Sequence, residues 1–117
     1  MRSPIRADIE DGIAEGLSVE DAYDRTAIRM ANGLAEAAGQ SGTTEEALNA
    51  LGVPNRREVA LRLDRIGAQD SVSMKIILTG GHIDTVPSAE CVAERLRGKA
   101  NPTRRDVEEA FAHCSKK

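Results

Sequence analysis

The sequence predicts an all-α fold: a compact bundle of five to six short-to-medium helices in a single domain, residues 1–117. Two observations predict it. Apolar residues recur every three or four positions along most of the chain, which is the period of a helix buried on one face. Most of these stretches begin near a Ser, Thr, Asp or Asn and end near a Gly or Pro, the residues that start and stop helices. A chain of 117 residues also has the length of one domain.

The first helix is predicted near the start of an N-terminal acidic part, residues 1–42. Ser3 and Pro4 are a helix cap and a first-turn proline. Isoleucines spaced by four follow, and Gly16 ends the stretch. The sequence therefore predicts a short amphipathic helix.

A second, longer helix follows in the same part. Ser18 and Asp21 resemble a capping box, and apolar residues then keep helical spacing as far as Gly39. Several of these residues are Ala or Gly, which would let another helix approach closely. The polar, glycine-containing segment 40–44 predicts a loop.

Residues 43–67 predict two helices joined by a tight turn. Thr43 begins the first helix, which ends at Gly52, and Pro54 excludes its continuation. Asn55 is the predicted cap of the second helix, whose apolar side chains share one face. The segment has the spacing of a helix-turn-helix.

Residues 68–87 are compatible with two structures. Apolar and polar residues alternate in part of the segment, and Gly80–Gly81 could form the turn of a β-hairpin over residues 71–86. Alternatively, Asp70 caps a helix that ends at Gly80. The helix is slightly preferred, because an isolated hairpin is marginally stable in water.

The C-terminal part, residues 88–117, predicts a helical hairpin. Pro87 and Ser88 begin one helix, which closes at Gly98, and the Asn-Pro-Thr segment at 101–103 opens the other.

The two cysteines, Cys91 and Cys114, are too few for a disulfide scaffold, so we expect reduced thiols. Cys91 is predicted to lie on the far side of its helix and Cys114 on an apolar face. The N-terminus has charges every few residues in place of a signal-peptide core, and we expect a cytoplasmic protein. No apolar run approaches the length of a membrane span, so no membrane partner is expected.

Composition predicts a thin core and uneven charge. Of 47 apolar residues, 17 are alanines. Residues 1–54 carry four basic and ten acidic side chains, a net charge of −6, whereas residues 55–117 carry twelve and nine, a net charge of +3. A thinly cored chain often completes its burial against a second copy or a partner.

These features favour a non-enzymatic regulatory protein that binds other proteins, as a homodimer that sequesters or inhibits a larger partner such as a transcription factor. In size and charge the chain is similar to small acidic helical proteins of bacterial mobile elements, such as antiactivators. Aromatic and methionine side chains commonly dominate interfaces. The predicted interface residues lie on the long helix and are Tyr23, Ile28, Met30 and Leu34. The alternative for Tyr23, Met30 and Leu34 is burial in the chain's own core.

The segment TTEEALNALGVPNRREVALRLDRIG, residues 43–67, resembles a helix-turn-helix DNA-binding unit. This resemblance implies the alternative function of a DNA-binding transcriptional regulator, with the second helix reading DNA. The residues that would contact nucleic acid are then Asn55, Arg56, Arg57, Arg62 and Arg65.

Another segment, Gly-His-Ile-Asp-Thr-Val-Pro at 81–87, resembles the first metal-site signature of M20-type zinc peptidases and deacylases. The resemblance implies a metal-dependent hydrolase fragment, in which His82 binds zinc and Asp84 orients it. That family needs further ligands and a glutamate pair, and His113 is the one other histidine of this chain. We therefore expect no catalytic residue, no metal and no cofactor.

Overall fold

The computed structural model describes residues 4–41, 43–67 and 70–115, and within these ranges the chain forms seven helices and no strand. The all-α fold is confirmed, with more helices than the five to six expected. The helices are α1 Pro4–Ala14, α2 Val19–Ser41, α3 Thr44–Ala50, α4 Arg56–Ile66, α5 Ser71–Thr79, α6 Ala89–Arg95 and α7 Arg104–Ser115.

The long helix α2 is the centre of the fold. It packs against α1, α3, α5 and α6, whereas α7 packs against α1 and α6. Helix α4 lies at the periphery and packs mainly on α3. The core forms around α2 and extends between α7 and α1 and between α4 and α3.

The start of α2 follows the local sequence signal, whereas its end does not. The hydroxyl of Ser18 accepts a hydrogen bond of 3.1 Å from the Asp21 backbone N–H, as the predicted capping box requires. At the other end α2 continues past Gly39 to Ser41, so the loop predicted at 40–44 is shorter than expected. The predicted cap Ser3 lies outside the described residues.

The ambiguous segment 71–86 is a helix followed by irregular backbone, and the hairpin alternative is wrong. Asp70 caps α5, because its carboxylate accepts the Ser73 backbone N–H at 2.8 Å. At the other end Gly81 has a φ of 70°. The N–H groups of Gly81 and His82 bond back to the carbonyls of Leu78 and Ile77, at 3.2 and 3.0 Å. The Gly-Gly pair therefore closes a helix in a Schellman motif instead of turning a hairpin.

The turn after α3 uses the same device. Gly52, with a φ of 78°, follows the C-cap Leu51, and the Val53 N–H bonds to the Leu48 carbonyl at 3.1 Å. The C-terminal part is a helical pair as expected. Thr103 and Asp106 form a reciprocal capping box at the start of α7, with each side chain accepting the other's backbone N–H.

The core contains a charged group that the sequence did not indicate. Glu10 on α1 is buried, and its carboxylate lies 3.8 Å from the Arg6 guanidinium. Arg6 in turn lies over the Phe111 ring of α7, at 5.5 Å from the ring centroid. The charge is therefore compensated inside the packing of α1 on α7.

Candidate functional site

Three of the four predicted interface residues lie inside the chain's own core. Tyr23, Met30 and Leu34 are buried on the inner face of α2, where the Tyr23 ring stacks at 6.5 Å on Phe111. A side chain buried within one chain has no surface to offer a partner. Ile28 points the other way, and half of its surface is exposed. The interface hypothesis is therefore left with Ile28.

Exposed apolar side chains are found on both α2 and α5, two helices that pack on each other. Val72 and Ile76 lie one turn apart on α5 and are 65% and 57% exposed. We name the surface of Ile28, Val72 and Ile76 the α2–α5 strip.

The end of α5 lies next to the start of α2. An open cavity is lined by Val19 and Glu20 from the start of α2 and by Thr79 and Gly80 from the end of α5. Lys75 is then level with the first turns of α2. Ile28 lies about one turn further along α2. Val72, near the start of α5, lies about one turn before Lys75.

Charges flank the α2–α5 strip. The Lys75 ammonium lies 2.9 Å from the Asp24 carboxylate and 3.6 Å from Glu20. Its hydrogen bond to Asp24 and the negative charge there raise the pKa of Lys75. The strip thus has acidic and basic groups next to each other at one edge.

The predicted nucleic-acid-binding residues lie in α4 or directly before it, and Asn55 has a different role from the four arginines. Asn55 precedes α4 without capping it, because its side-chain amide donates a hydrogen bond of 2.9 Å to the His82 carbonyl instead. Asn55 therefore connects α4 to the loop after α5. The four arginines are all exposed: Arg56, Arg57, Arg62 and Arg65.

His82 lies beside the arginines of α4. A cavity of about 380 Å³ is lined by Glu58, Leu61, Arg62 and Arg65 of α4 together with Gly81 and His82. Burial and the nearby Arg62 guanidinium lower the pKa of His82, which favours the neutral imidazole.

A metal centre at His82 would need further ligands close by. Within residues 4–41, 43–67 and 70–115, no three His, Cys, Asp or Glu side chains come close enough together to hold a metal ion. Asp84 lies exposed in the loop after α5. The structure therefore shows no ligand set that would complete the M20-type signature.

The cysteines form a disulfide, so the expectation of reduced thiols is wrong. Cys91 of α6 and Cys114 of α7 are bonded, with their Cα atoms 6.0 Å apart. Cys91 does lie off the main apolar face of α6, but α7 packs on that flank and covers it. A helix with neighbours on two sides buries two faces, which the spacing of one helix does not indicate.

No family model, curated protein or solved structure matches this chain. None of the described helices combines the length and the apolar character needed to cross a membrane.

The residues that the sequence analysis missed are Val72 and Ile76. Read as a helix, residues 71–79 carry Val72, Met74, Ile76, Ile77 and Leu78, which give α5 a wide apolar surface. This wide apolar surface was the signal that could have indicated exposed apolar residues on α5. A helix that is apolar on most sides either lies fully inside the fold or leaves one face for a partner.

Proposed function

We propose that this protein is a non-enzymatic regulator that acts by binding other proteins, and that it assembles as a homodimer through the α2–α5 strip. The single observation that supports the dimer is the exposure of Ile28, Val72 and Ile76 on two adjacent helices. Exposed aliphatic side chains favour association, because burying them removes apolar surface from water.

The charges beside the strip favour a second copy as the occupant. In a two-fold dimer the same patch faces itself, so the patch must be complementary to itself. Lys75 lies among Glu20 and Asp24, and each copy therefore offers both signs of charge at that edge. In a dimer, Lys75 of each copy can lie near the acids of the other, which offsets part of the repulsion between two edges that each carry a net charge of −1.

Sedimentation velocity at micromolar concentration tests the dimer. We expect the wild type to sediment as a dimer and the double variant Val72→Asp/Ile76→Asp as a monomer, because two carboxylates would have to be buried at the interface. The matched control is Leu61→Asp, which changes an aliphatic side chain of similar exposure, 60%, on α4. Leu34 is unsuitable for this test, since a charge at a fully buried position would unfold the chain.

The outcomes separate the parts of the proposal. A monomeric wild type contradicts the homodimer. A dimeric double variant with wild-type circular dichroism contradicts the strip as its interface. Dissociation by Leu61→Asp alone would assign the interface to α4 instead.

The regulatory role needs a partner in the cell. A dimer of this protein should bind a larger protein target, and purified complexes from the source cells should contain the two in a fixed ratio. A preparation that contains only this chain, at the concentration where it is dimeric, would contradict the regulatory role but not the dimer.

A further inference from the structure

Among the described residues, the arginines of α4 differ from most other basic side chains in having no acidic partner. None of Arg56, Arg57, Arg62 and Arg65 forms an ion pair or hydrogen bond through its side chain in the described part of the chain. Outside α4, and again among the residues described, Arg95 is the one other Lys or Arg without an ion pair. The paired ones are Arg6, Arg25, Arg29, Lys75, Arg97, Lys99, Arg104 and Arg105.

The position of α4 leaves these guanidinium groups accessible. Val59, Ala60 and Leu63 form the buried face of the helix. Arg57, Leu61 and Arg65 are spaced by four on the opposite face, which is exposed. From Arg57 to Arg65 this row is about 12 Å long, at the rise of an α-helix.

The loop after α5 extends this surface on one side. Arg62 and Arg65 line a cavity of about 380 Å³ with Gly81 and His82. The hydrogen bond from Asn55 to the His82 carbonyl fixes the loop against the start of α4. The basic side chains therefore stand on a helix that is held in place from both sides, by α3 and by this loop.

From this arrangement we propose that the exposed face of α4 binds the phosphate backbone of double-stranded DNA, with Arg57, Arg62 and Arg65 contacting phosphates and Leu61 facing the groove between them. A planar guanidinium matches a phosphate with two hydrogen bonds. The major groove of B-DNA is about 12 Å wide, so a row of that length brings its terminal arginines to phosphates on opposite sides of the groove. The arginines outnumber Glu58 and Asp64, the two acids of the helix.

Fluorescence anisotropy of a labelled random-sequence DNA duplex, titrated with the full chain at low salt, tests the proposal. Wild-type affinity should fall steeply with salt, because phosphate contacts release counterions. We expect Arg62→Ala/Arg65→Ala to lose at least about tenfold in affinity and to reduce the magnitude of the salt slope by about two. The matched control is Arg104→Ala/Arg105→Ala, which removes the same charge from exposed, ion-paired positions on α7 and should bind as the wild type.

A third variant tests the face by gain of affinity. Leu61→Arg places another guanidinium between Arg57 and Arg65 and should tighten binding severalfold. Absence of wild-type binding at low salt, equal loss in the two double variants, or no loss in Arg62→Ala/Arg65→Ala would each overturn the proposal. Equal or tighter binding of polyglutamate than of DNA would overturn it in favour of an acidic protein partner.

Discussion

The hydroxyl of Tyr23 donates a hydrogen bond of 2.7 Å to the carbonyl oxygen of Pro87, 64 residues further along the chain. Tyr23 is fully buried in the central helix α2, and Pro87 lies near the end of the irregular segment between α5 and α6. This bond ties the loop that carries His82 to the centre of the fold. Tyr23 is thus a residue of the chain's own architecture rather than of an interface.

Removal of this hydroxyl should destabilise the protein. We expect Tyr23→Phe to lower the free energy of unfolding by about 1–3 kcal/mol, because the buried Pro87 carbonyl loses its partner while the aromatic packing stays. Urea denaturation followed by circular dichroism measures the change. An unchanged midpoint would show that water replaces the hydroxyl without cost.

The same residue should make the fold sensitive to alkaline pH. Burial raises the pKa of Tyr23 above its ordinary value. The folded state then holds its proton more tightly, so this contribution to stability is full below the unfolded-state pKa of about 10 and is lost as pH rises above it. Because Tyr23 is the single tyrosine and the chain has no tryptophan, phenolate absorbance should appear together with unfolding. Phenolate absorbance from the folded protein at that pH would contradict the prediction.

The disulfide between Cys91 and Cys114 should stabilise the fold. It closes a loop with a sequence separation of 23, for which the loss of chain entropy in the unfolded state corresponds to about 3 kcal/mol. We expect Cys91→Ser/Cys114→Ser to lose about that much in chemical denaturation, and reduced wild type to match the variant. Alkylation and mass spectrometry provide the check. Two alkylated thiols in protein purified without reductant would contradict the bond.

Two glycines should respond in opposite directions to the same substitution. A Cβ at Gly12 would lie 3.2 Å from the Ala22 Cβ and 2.9 Å from the Arg25 guanidinium, so Gly12→Ala requires the Arg25 side chain to move and α1 and α2 to shift apart by a few tenths of an ångström. We expect a loss of about 1–3 kcal/mol. Gly39 lies in α2 with nothing near its added Cβ, and Gly39→Ala should gain up to about 1 kcal/mol in helix propensity. Thermal unfolding of both variants measures the contrast, and equal shifts of the same sign would contradict it.

The cap of α5 should contribute to acid sensitivity. The Ser73 backbone N–H lowers the pKa of Asp70, so the carboxylate stabilises the fold above its unfolded-state pKa of about 4, and this stabilisation is lost as pH falls through the lower folded-state pKa. Asp70→Asn keeps an acceptor for the cap but does not titrate. The variant should be less stable than wild type at pH 7 and equal to it at the acid limit. If the stability difference between the variant and the wild type stayed constant at all pH values, the charge of Asp70 would not contribute to the acid sensitivity.

The sequence by itself determined the helices, because their signals are local. Ser18, Thr43, Asp70, Ser88 and Thr103 each accept a backbone N–H at the start of a helix, three residues further along the chain. Such bonds depend on a few neighbouring residues and not on the rest of the fold. The sequence left residues 71–86 open between a hairpin and a helix. Their apolar residues fit the period of a strand and that of a helix, and a Gly-Gly pair can either turn a hairpin or end a helix.

Only the tertiary structure decided which helix faces meet and which stay in water. Leu34 lies on the apolar stripe of α2 and Ile28 lies off it, but only the packing of α1, α3, α5 and α6 shows that the chain itself covers this stripe. Cys91 lies off the apolar face of α6 and still reaches Cys114, because α7 packs on that flank. The helical period fixes the direction in which each side chain points. Whether that side chain is buried depends on which helix packs on that side, and this packing is set by contacts between residues far apart in the chain.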